Sequence, residues 1–168
     1  MPSKAEQAAE QRVVANLSAS VPGPVPMHPL QGALKGATIY AEQILKVGQE
    51  TFVDSASPAE PFAVAFEDDG TTGSFYALDL GTRGKPPILD ALHIYNVADV
   101  ADRDIPSTVQ IAWSADGFKA ILIINDYAHA VFDLEARRGY CRTGLPPPDT
   151  RWTKYDHAWA DSALELFK

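Results

Sequence analysis

Val109-Gln110-Ile111-Ala112-Trp113-Ser114-Ala115-Asp116-Gly117-Phe118-Lys119-Ala120-Ile121-Leu122-Ile123-Ile124 is the stretch on which the reading of the fold turns. Val109, Ile111 and Trp113 alternate with smaller or polar residues, the period of a strand with one buried face. Asp116-Gly117 then supplies the strongest short-range hairpin signal, because glycine takes up positive φ without a Cβ penalty. Ala120 to Ile124 returns as a nearly continuous apolar run, as a strand buried on both faces does.

The same pattern extends outward. Phe62, Val64 and Phe66 alternate with Ala63 and Ala65, Glu67 to Gly73 forms a polar loop with two glycines, and Phe75, Tyr76 and Leu78 resume the strand pattern. Asn125-Asp126-Tyr127 reads as a further turn, followed by Ala128, Ala130, Phe132 and Leu134 in alternation with His129, Val131 and Asp133. Ile88 to Val97 fits a strand or a helical turn leading into one, and a strand is expected from after Leu45 to Ser55. Trp152, Tyr155, Trp159, Ala163 and Leu166 fall at helical spacing after Pro146-Pro147-Pro148, which predicts a C-terminal amphipathic helix packed on the sheet. The fold class expected is α+β: a mainly antiparallel sheet of about six or seven strands with that helix, and a less marked helix at the N-terminus.

The N-terminal helix is read over Ala5 to Leu17, opened by a capping box at Ser3-Lys4-Ala5-Glu6. Prolines 22, 24, 26 and 29 break up the segment after it. The expected organisation is therefore a helical arm and proline-rich linker over 1–35 and one domain over 36–168. The chain has 168 residues, 46% of them hydrophobic, enough for a proper core. Its 22 acidic against 14 basic residues give a net charge of −8, which argues against nucleic-acid binding, since gripping phosphates needs clustered Lys and Arg. A single cysteine, Cys141, permits neither an internal disulfide nor a cysteine-based zinc site. With no signal-type apolar segment and no stretch long enough to cross a bilayer, a cytoplasmic protein without a membrane partner is expected. No cofactor is implied, and oligomeric state is open.

Phe66-Glu67-Asp68-Asp69-Gly70 with Thr72-Gly73 and Phe75-Tyr76-Ala77, then Ile88 to Val97, Trp113-Ser114 with Asp116-Gly117, and His129-Ala130 with Phe132-Asp133, resemble a family of small bacterial proteins. That family is catalogued as a domain of unknown function. The resemblance spans about Ile44 to Trp152, implies a bacterial source, and carries over no activity and no catalytic residue.

Two functional readings arise from the residues. Glu67, Asp68 and Asp69, with Tyr95, Asn96 and Arg142, suit a binding edge, and a non-catalytic protein-binding module of regulatory or immunity type uses such an edge on a partner. The loop lacks the alternating acidic spacing and late glutamate of a calcium loop, so no metal site is expected. The alternative is a small metal-dependent or His/Asp-based hydrolase. It requires His93 and His129 on neighbouring strands, with Asp133 on the same side, as general acid and base, together with the Glu67–Asp69 loop. Arg137, Arg138, Arg142 and Arg151 form the one basic concentration, able to hold an anion or to pair internally. Cys141 beside these arginines has the electrostatics of a lowered thiol pKa, though no histidine at known geometry accompanies it. No serine-nucleophile elbow or phosphate-binding glycine loop occurs.

Overall fold

The computed structural model describes residues 34–82, 87–149 and 151–168. Among these residues nine strands form two antiparallel sheets. One has five strands in the order β1-β6-β7-β8-β9, where β1 is Ala37–Leu45, β6 Ser107–Ser114, β7 Lys119–Ile124, β8 Tyr127–Asp133 and β9 Arg138–Cys141. The other is a four-stranded meander, β2 (Thr51–Ala56), β3 (Phe62–Asp68), β4 (Thr72–Asp79) and β5 (Ile88–Asn96).

The two sheets pack face to face, and the main core is drawn from both. Val64, Phe66, Phe75 and Leu92 of the meander meet Ile111, Trp113, Leu122 and Phe132 of the larger sheet, with the Phe75 and Phe132 rings stacked at 5.2 Å. Trp113 is fully buried, and its indole N–H donates to Ser55 Oγ at 2.9 Å across the sheets. The Asp116-Gly117 hairpin falls where the sequence puts it, joining β6 to β7. Gly117 has φ +76°, and a Cβ there would stand 2.6 Å from the Ala59 side chain, so both the turn and the close approach of the β2–β3 loop exclude any larger residue. Asp116 is held down to about pKa 2, chiefly by the Ser114 hydroxyl, with Lys119 and the Phe118 amide adding to it. Asn125 and Asp126, with φ of 51° and 61°, make the left-handed pair of a tight turn between β7 and β8.

The expected α+β class is corrected: the described residues are essentially all-β. Their only helical segments are 3₁₀, at Val97–Asp99 and Asp161–Phe167. The predicted C-terminal amphipathic helix does not form, because each of its aromatics is claimed by a different neighbour. Trp152 packs edge-on against Phe132 at 6.4 Å, Tyr155 lies under the Arg138 guanidinium, and Trp159 lies under Arg142. Between them the chain runs extended, with the Cys141 amide donating to the His157 carbonyl and Ala158 bridging Cys141. The tail nonetheless covers a sheet face, as Ala163 and Phe167 join Ile39, Ile121 and Val131 in a second core on the outside of the larger sheet. A helix over Ala5 to Leu17 lies outside the described residues.

Strand pairing places Gly73 of β4 opposite Tyr95 of β5, and the phenol ring lies over the glycine. A Cβ at Gly73 would stand 2.6–2.9 Å from three ring atoms. Gly73→Ala is expected to lower unfolding free energy by about 1–3 kcal/mol through overpacking. The loss should shrink in the Tyr95→Leu background, a non-additivity readable from urea titrations.

Candidate functional site

Three loops meet at one end of the sandwich: the β1–β2 turn at 46–50, the β3–β4 turn at 69–71, and the long connection at 97–106. The acidic run resolves into three different roles there. Asp68 is 1% exposed, and its carboxylate accepts from Gly48 N at 2.8 Å, Gly70 N at 2.8 Å and Tyr95 Oη at 2.7 Å. Both glycines have φ +94°, a backbone conformation that turns their amides onto the carboxylate and that other residues rarely adopt. Charge-assisted bonds of this kind are roughly twice as strong as neutral ones, so Asp68 binds two turns and a third strand into one unit. Burial first, and then the bond to Asp68 and the charges of Asp68 and Asp69, push the Tyr95 hydroxyl above its ordinary pKa. Tyr95 is thus a fixed neutral donor.

Asp69 caps its own turn, accepting from the amides of Thr71 and Thr72 at 2.9 Å. Glu67 is buried on the outer face of the meander, where Tyr76 Oη donates to its Oε1. Asn96 is exposed and donates to Asp99. Arg142 stands apart, just past β9, its Nε donating to the Ala128 carbonyl at 2.9 Å and its guanidinium over Tyr127 and Trp159. Of the residues expected at a binding edge, only Asp68, Asp69, Tyr95 and Asn96 therefore share a locality. Beside them opens a groove of about 690 Å³, whose lining includes Lys46, Gln49, Gly70, Val97, Asp102 and Arg103.

His93 and His129 occupy different sheets, on β5 and β8, and no hydrogen bond joins their side chains. Burial, and then the Arg142 charge, hold the His129 imidazole down to about pKa 4. It is also the residue left over where the β7–β8 register slips between Leu122 and Ile123, which breaks the alternation relating it to Asp133. Asp133 accepts from the Ala136 amide and so caps the β8–β9 turn. Among the described residues no three His, Cys, Asp or Glu side chains are grouped as a metal site. Cys141 is buried, its thiol directed to the Leu145 carbonyl and the Thr143 hydroxyl.

Sequence reasoning missed His157. It is 1% exposed, with Nε2 2.8 Å from Asp90 Oδ2 and Nδ1 on the Pro146 carbonyl. Burial alone lowers its pKa, but the Asp90 carboxylate, by hydrogen bond and by charge, and the Pro146 carbonyl outweigh that and raise it. With acceptors on both nitrogens the ring sits as an imidazolium clamp between tail and β5. Sixty-seven residues separate it from Asp90, and no spacing rule reaches that far.

The fold and this end of it define a β-sandwich with a polar loop end tied together by a buried carboxylate. The chain belongs to the family described as "Uncharacterized protein conserved in bacteria (DUF2251)", whose profile matches residues 45–168. An uncharacterized protein of Haemophilus influenzae is 45% identical over 97 residues, which cover 56% of this chain and 60% of that protein. The match thus spans less than two thirds of that relative's length. No solved structure matches the chain. No helix among the described residues is long and apolar enough to cross a membrane.

Asp68→Asn keeps the shape but turns one acceptor into a donor facing donors, and is expected to cost about 2–3 kcal/mol in chemical denaturation. The two histidines bias pH stability oppositely. The folded pKa of His129 is depressed, so its contribution is complete above about pH 6.5 and declines as pH falls toward 4. That of His157 is raised, so its contribution is complete below about pH 6.5 and is lost as pH rises through the folded value. Unfolding titrations from pH 4 to 9 should flatten on the acid side in His129→Asn and on the alkaline side in His157→Asn.

Proposed function

We propose that this protein is a non-catalytic protein-binding module that recognises its partner through the groove at the loop end. The observation that carries this reading is the Asp68 carboxylate tying Gly48, Gly70 and Tyr95 together. Binding surfaces are commonly loops held in fixed positions by a rigid scaffold, and preorganised loops lose little conformational entropy when a partner docks. Asp69, Asp99, Asp102 and Asp104 outnumber Lys46 and Arg103 in and around the groove, which favours a partner with a basic contact surface.

A photo-cross-linker placed at Gln49 or Asp104, in cells that naturally express the protein, is expected to capture a discrete protein adduct. One at Leu80, at the other end of the sandwich, should not. Asp102→Lys with Asp104→Lys should weaken the captured partner by about tenfold, mostly through the association rate. Equal adducts from both ends, or an affinity indifferent to the charge reversal, defeats the reading.

A further inference from the structure

Arg138 opens β9 at the end of the sandwich opposite the groove, on the outer face of the five-stranded sheet. Its guanidinium carbon lies 4.6 Å from the centroid of the Tyr140 ring and 4.6 Å from that of Tyr155. The guanidinium is therefore held between a ring on its own strand and a ring on the C-terminal tail. The side chain has no hydrogen-bond or ion-pair partner among the described residues, and its Nε is buried without an acceptor. A buried donor left unmade is costly and uncommon in folded proteins.

Arg142, two residues beyond Tyr140, supplies an internal comparison. It too lies between two aromatic rings, those of Tyr127 and Trp159, but its Nε is satisfied by the Ala128 carbonyl and Asp161 stands 4.0 Å from its Nη1. The acids near Arg138 are engaged elsewhere. Asp133 faces it in register but accepts from the Ala136 amide, and Glu135 pairs with Lys119, as does Asp116. Arg137 adds a second positive charge beside it. Nε is closed to solvent, so the donors left to a ligand are the two Nη groups, whose shared edge matches a carboxylate in a two-pronged bond.

We infer that Arg138, between Tyr140 and Tyr155, is a receptor for a single carboxylate on an acidic segment of a protein partner. This surface is separate from the loop-end groove and does not depend on it. Tyr155 is 47% exposed, so the rim of the site offers an aromatic wall to a partner side chain, and Tyr and Arg are residue types that dominate protein interfaces. The chain's net charge of −8 opposes docking of an extended polyanion, whereas a single carboxylate needs only the Arg138 guanidinium, with Arg137 beside it in sequence.

The test is a titration of the ¹⁵N-labelled full chain with an N-acetylated tri-aspartate peptide amide, followed by the amide signals of Gly139, Tyr140 and Tyr155. Saturable shifts are expected, with none from the tri-asparagine analogue. Arg138→Gln should abolish them, and Arg138→Lys, which keeps the charge without the fork, should weaken binding by about tenfold. Thermal melting checks that each variant is folded. If Arg138→Gln does not fold, Tyr155→Leu removes one wall and leaves the charge, and is expected to weaken binding severalfold. The inference is overturned by absence of saturation at millimolar peptide, by equal shifts in the folded Arg138→Gln protein, or by inorganic phosphate reproducing the peptide's curve, which would mark a site for free anions.

Discussion

The buried carboxylate of Asp68 is the constraint around which one whole end of the molecule is arranged. A carboxylate in an apolar interior is tolerated only when hydrogen-bond donors replace its lost hydration. Here the donors come from the β1–β2 turn, the β3–β4 turn and β5, so satisfying the charge requires that three chain segments converge. Two of the donors are glycine amides in left-handed backbone, and the third is a phenol whose ring needs a glycine beneath it. Asp68, Gly70 and Gly73 are thus one device, and the groove beside them inherits its shape from it.

The C-terminal tail is governed by a second buried charge. His157 sits between Asp90 and the Pro146 carbonyl, and to reach both the chain must run extended where its apolar spacing favours a helix. Intrinsic helix preference amounts to tenths of a kcal/mol per residue, and it loses to an anchored imidazolium, a backbone bridge to β9 and aromatic rings spread over two faces. The tail also closes the sandwich. β5 and β9 are edge strands of different sheets, and the loop after β9 meets β5 through the Leu145 carbonyl on the His93 amide and the Thr143 hydroxyl on the His93 carbonyl. His93 and His129 are thereby linked only through their backbones and the loop between them, while their side chains have separate surroundings.

The polar features consequently fall in two places. At the loop end, acids and backbone turns surround an open groove. On the outer face of the five-stranded sheet, guanidinium groups lie between aromatic rings. Arg138 and Arg142 share that stacking and differ in what their donors meet: a carbonyl and a carboxylate for Arg142, nothing among the described residues for Arg138.

The local β elements are written in the sequence. Alternation set Phe66 and Phe75 inward, Asp116-Gly117 and Asn125-Asp126 set hairpins between adjacent strands, and glycines 70 and 73 marked a polar loop between two strands. These are legible because hairpin pairing and side-chain alternation depend on residues only a few positions apart. Long-range contacts decide that the strands of the described residues divide into two sheets, that the tail is extended, that Glu67, Asp68 and Asp69 point to three different environments, and that His157 rather than His93 or His129 carries the paired charge. Each of these depends on partners tens of residues away, and the energy of a buried charge finding its donors outweighs the local preferences from which a sequence is read.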